Sequence, residues 1–139
     1  SRMDVEGRLS PETESAAREA YESVGPTAQL VVKEVAKAMA FDREEYRERV
    51  TGDVVETARD VLFAAELEVR VGSRDEYEAW RDEFDGDVIE RGSENVDSVA
   101  WHVAPFADAA VAATFQDERD AAVGTLRRQA YGEIYKERF

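Results

Sequence analysis

The sequence predicts an α+β fold: an N-terminal four-helix segment over about residues 10–65, then a β-α-β-β-β-α unit with a small, mostly antiparallel sheet over about 66–139. Three observations predict it. Apolar residues recur at helical spacing, punctuated by capping residues, as far as residue 65. A two-residue alternation replaces that spacing at Leu67. Only one strand pair has a helix between its members, which argues against a doubly wound sheet. At 139 residues the whole chain reads as a single domain, and a folded chain of this size hides roughly 68% of its unfolded surface.

Ser10-Pro11-Glu12 opens the first helix, with a capping hydroxyl ahead of a proline at the first helical position. Its inward stripe is Ala16, Ala17, Ala20, Tyr21 and Val24, and Gly25 ends it. Pro26 opens a second helix with the stripe Ala28, Val31, Val32, Val35, Ala36 and Met39. Asp42 and Glu45 make a capping box for a third, and Phe41 can close over Tyr46 as a staple. Thr51 caps a fourth, with Val54, Ala58, Val61, Leu62 and Ala65 inward. A half-buried strand follows at 66–71, where Leu67, Val69 and Val71 alternate with Glu66, Glu68 and Arg70. Ser73 and Glu76 form a second capping box, and Tyr77, Trp80 and Phe84 line one face of a short helix. Asp85-Gly86 turns the chain into a strand at 87–91, and Gly92–Asn95 is a loop. The next strand is 98–104, with Val99, Trp101 and Val103 on one face and Ala100, His102 and Ala104 on the other. Residues 109–115 are rich in alanine, which favours helix, but Val111, Ala113 and Phe115 alternate, and the segment is read as a buried strand. A last helix runs from about Asp117, with Ala122, Val123, Leu126, Ala130 and Ile134 inward.

Composition narrows the chemistry. The chain has no cysteine, which excludes thiol nucleophiles, disulfide frameworks, thiolate zinc sites and iron–sulfur clusters. It has no run of about 18 apolar residues, so no membrane partner is expected. Neither a basic start nor an apolar signal region opens it, and the expected location is the cytoplasm. Acidic residues number 32 against 18 basic, a net charge of −14. Arginine outnumbers lysine 15 to three, and leucine appears five times and isoleucine twice. These biases fit a protein working in concentrated salt. There the Debye length falls to about 3 Å, so crowded surface carboxylates barely repel, and salts strengthen effective burial without large aliphatic cores. The charge is uneven: residues 66–97 sum to −8, 98–115 to −1 and 116–139 to zero. The first of these reads as a solvated face, the second as interior.

The search for a catalytic site finds little. No phosphate-binding glycine loop and no G-x-S-x-G is present. Asp82–Asp87 resembles a calcium loop only faintly, since Gly86 at the sixth position puts Arg81 first and Gly92 twelfth. No metal, cofactor or catalytic residue is assigned. His102 is the only histidine; on a face of small alanines, with Arg70 on a neighbouring strand, it could meet an anionic ligand. A partly buried imidazole bonded to backbone or to a carboxylate is the plainer account, because a general base needs a placed partner. Residues 27–71, three helices with a Thr51-Gly52 turn and then a strand, look similar to a winged helix. The solvent side of 53–65, however, offers Asp53, Glu56 and Asp60 against Arg59 alone, so no nucleic-acid partner is expected. In the last helix Tyr131, Tyr135 and Phe139 add an aromatic stripe beside Ala130 and Ile134. In a segment without net charge in an acidic chain that pattern suits self-association, since interface cores gain aromatics and lose charge; the equal alternative is that the helix simply covers the sheet.

The runs GPTAQLVVKEVAKAMAFDREEYRERVTGDVVETARDVLFA (Gly25–Ala64) and GSENVDSVAWHVAPFADAAVAATFQDERDAAVGTLRRQAYGEIY (Gly92–Tyr135) resemble a family of uncharacterised haloarchaeal proteins. The resemblance implies a haloarchaeal source and a cytoplasmic compartment, and carries over no site residue. The expected function is a non-enzymatic interaction or self-assembly module, associating through the C-terminal helix. The alternatives are a winged-helix-like DNA-associated regulator and a small-ligand-binding protein or minor enzyme using His102 and Arg70. No protein partner is identified.

Overall fold

A computed structural model describes residues 3–139. It is α+β, built on one five-stranded, mostly antiparallel sheet. The strands are β1 (Asp4–Glu6), β2 (Val69–Gly72), β3 (Asp87–Arg91), β4 (Ser98–Ala104) and β5 (Ala109–Phe115), in the spatial order β1-β2-β4-β5-β3. The helices are α1 (Glu14–Ser23), α2 (Gly25–Ala38), α3 (Arg43–Arg49), α4 (Gly52–Glu66), α5 (Arg74–Glu83) and α6 (Arg119–Ala130). One pairing is parallel, β3 with β5. The chain leaving β3 must pass β5 to reach β4, and it returns through Pro105–Ala107 and a left-handed Asp108 to fill the gap.

Each face of the sheet has its own cover. On one, Val69, Val71, Ala100, Ala104 and Val111 pack beneath Ala17 of α1, Phe63 of α4 and Val123 and Leu126 of α6. On the other, Val99, Trp101, Val103, Ala110 and Ala112 meet Tyr77, Trp80 and Phe84 around α5. Alanines in β4 and β5 leave room for large rings: Trp101 stands edge-on to Tyr77 at 5.2 Å and Phe63 edge-on to Tyr135 at 5.2 Å. Residues 109–115 form β5, and the two-residue alternation decides there because both neighbouring strands supply its backbone with partners.

The structure departs from the sequence expectations in several places. A strand, β1, precedes the helices; at three residues it is too short to show a period. It is held by β2 and by Arg119, which donates to Asp4 and Glu6. Thr13, not Ser10, caps α1, accepting from the Ala16 amide, while Ser10 Oγ donates to the Val103 carbonyl of β4. Gly25 begins α2 and does not end α1: Val24 closes one helix and opens the next. Of the stripe expected inward on α2 only Ala28 and Ala36 are buried. On α4 the buried pair is Phe63 and Ala64, while Val54 and Val61 face outward. The run Val61–Ala65 is apolar throughout, so its pattern leaves the helix phase undetermined, and Phe63 wins the interior because it can reach four aromatic rings. Thr51 and Asp42 cap as expected, and Ser73 with Glu76 completes its box.

Candidate functional site

His102 lies at the centre of the sheet, fully buried, on the α6 side of β4. Its Nδ1 is 2.6 Å from the Glu68 carbonyl oxygen and its Nε2 is 2.7 Å from the Tyr135 hydroxyl. A carbonyl only accepts, so Nδ1 carries the hydrogen and Nε2 accepts from Tyr135. Burial pushes the imidazole down to about 4, with the Arg70 and Arg127 charges adding to that and the Glu68 bond opposing it. The ring is therefore neutral at pH 7, with both nitrogens occupied by groups of the chain itself. Arg70 stands in register with Trp101, which places it on the opposite face of the sheet, and it pairs with Glu68 at 3.4 Å. The fold does not bring His102 and Arg70 together.

The C-terminal aromatic stripe is packed within the molecule. After Ala130 the helix widens to a π-helical turn, Tyr131–Tyr135, then tightens over Lys136–Arg138. The wide turn keeps Tyr131 and Tyr135 on the same inward side, with Tyr135 fully buried. The hydroxyls of Tyr131 and Tyr21 both donate to Asp60 Oδ1 at 2.7 Å. Burial, then the Asp60 carboxylate, raises both phenols, that of Tyr21 to about 12. Phe139 stacks on Tyr21 at 4.5 Å. The face expected to meet a second molecule is thus spent on α1 and α4.

What stands open lies elsewhere. Among the described residues ten large apolar side chains are exposed, and seven of them fall between residues 30 and 61. α2 packs along α4, and both helices turn apolar residues outward on the same side. Val31 and Val35 of α2, Met39 at its C-terminal cap, and Val54 and Val61 of α4 are each between 41% and 59% exposed. Between the helices runs a groove of about 580 Å³, floored by Val32, Ala36 and Ala58. Its one charged lining residue is Arg49, whose guanidinium sits 5.6 Å above the Phe41 ring. No carboxylate lies within ion-pair distance of Arg49 among the described residues. The sequence carried a signal for this face, since Leu30, Val31 and Val32 in succession make α2 apolar over more than one contact surface. Read as a core stripe, the pattern concealed it. The winged-helix likeness meets a different chain path: β2 leads into α5, not into a second wing strand.

Residues 8–136 match the family described as Family of unknown function (DUF5809). The chain belongs to that family. No curated protein and no solved structure matches it. No helix among the described residues is long and apolar enough to cross a membrane.

Proposed function

We propose that the chain is a non-enzymatic protein-interaction module adapted to a salt-rich cytoplasm, and that it makes contact through the α2–α4 layer. The carrying observation is the concentration of exposed apolar side chains on that layer. An apolar patch of several hundred Å² is where monomeric proteins keep their interaction sites. The charge distribution supports the same face. The groove between α2 and α4 is lined by apolar side chains, by Thr57 and by a single charge, Arg49. A charge-depleted apolar centre surrounded by strongly charged surface is the composition of a protein interface. The net charge, the preference for arginine over lysine and the modest aliphatic content support the high-salt setting.

The double variant Val35→Glu, Val54→Asp tests this reading. Both positions are about half exposed, so the fold should tolerate the charges. In a multimolar KCl extract the wild-type chain should sediment in a species heavier than its 15.6 kDa, and the variant should sediment as the bare chain. Identical sedimentation of the two overturns the reading.

A further inference from the structure

We infer that the occupant of the α2–α4 face is a second copy of this chain, the two helical layers meeting across a two-fold axis as a four-helix core; this rests on the interaction reading above. The width of the face is the first reason. Apolar side chains line both banks, Val31, Val35 and the capping Met39 on the α2 side and Val54 on the α4 side, with the exposed Val61 two turns further along α4. One inserted helix would fill the trough between the banks and leave their outer sides wet. A second pair of packed helices covers both, the arrangement of a four-helix bundle. Such a contact is self-complementary under a two-fold axis, because α2 of each copy crosses α4 of the other.

Area is the second reason. The five side chains together leave on the order of 400 Å² of apolar surface uncovered, about half of the ~800 Å² that one partner brings to a stable interface. Charge is the third. Two molecules of −14 repel wherever their carboxylates face each other; the groove itself is lined by no carboxylate, and Asp53, Glu56, Asp60 and Glu66 of α4 lie outside its lining. Arg49, with no carboxylate within ion-pair distance among the described residues, lines the groove and is a cation left for a carboxylate of the other copy.

The absence of cysteine makes the test clean. The purified full chain in multimolar KCl should sediment as a dimer, with a melting temperature that rises with chain concentration, and the Val35→Glu, Val54→Asp variant as a folded monomer with unchanged helix content and a melting temperature independent of concentration. Mixed Val35→Cys and Val54→Cys chains should cross-link through a short bis-maleimide, while Ile89→Cys on the far edge strand should not; this arm holds even where the double variant fails to fold. A purified wild-type chain that stays monomeric at every concentration overturns the second-copy inference. The interaction reading survives that result if the extract still yields a heavier species that the double variant lacks. A dimer that persists in the double variant, or that cross-links at Ile89→Cys and not at the groove, also overturns it.

Discussion

At His102 the burial of a neutral imidazole couples stability to pH. In the unfolded chain the ring titrates near 6.5, whereas in the folded chain its value is lowered to about 4. Between those values the unfolded state binds a proton that the folded state refuses, so the stabilisation is whole above pH 6.5 and is lost as the pH falls toward 4. The steepest possible slope is one proton, about 1.4 kcal/mol per pH unit. Thermal melts should therefore fall from pH 7 to pH 5, and the fall should flatten in His102→Gln. An NMR titration placing His102 near 6.5 in the folded protein would contradict the burial described here. Its partner gives a second prediction. Tyr135→Phe removes the donor to Nε2 and leaves a buried acceptor unpaired, at a cost of about 1–3 kcal/mol, which a denaturant midpoint will read. That a lone histidine on an alanine-lined strand would be bonded to backbone was within reach of the sequence. That its other nitrogen would meet Tyr135 was not, because the bond spans 33 residues and depends on the π-helical turn.

At the scale of elements, the legible parts were those whose physics is local. The Ser73–Glu76 capping box satisfies amides within one turn, so four residues are enough to specify it. Ser73→Ala should cost about 1 kcal/mol of stability, measured by chemical denaturation. The loop after β3 depends on Gly92, which has a φ of +100° and lies against Thr114 Oγ1, the acceptor for the Ser93 amide. Gly92→Ala should destabilise by more than the ordinary glycine-to-alanine effect, since the added methyl meets both a disfavoured φ and that side chain. A shift of the melting curve smaller than a degree would be at odds with that geometry. The phases of α2 and α4 were illegible for the opposite reason. Which apolar stripe turns inward is decided by Phe63, Tyr21 and Tyr131 across distant sequence, and no capping residue records it. The helices were placed from their caps, but the face each one buries was not.

At the scale of the molecule, charge dominates the response to solvent. With 32 acidic groups against 18 basic, the melting temperature should climb as KCl is raised from 0.1 M to multimolar, because the screening length shrinks from about 10 Å to 3 Å and less. A melting temperature indifferent to salt would remove the brine-adapted reading. The salt-rich setting rests on composition alone, whereas the α2–α4 face depended on which stripes the interior leaves over. The strand order has its own consequence for how the polypeptide acquires its shape. β1 waits some 60 residues for β2, and β3 lies beside a strand that follows β4 in sequence, so the middle of the sheet is the last part of it to be synthesised. Helices α1 to α4 can assemble early from nearby contacts, but their inner surface has nothing to settle on until β4 and β5 have emerged. A nascent chain halted before residue 98 would therefore expose apolar helix faces on both sides until β4 and β5 follow.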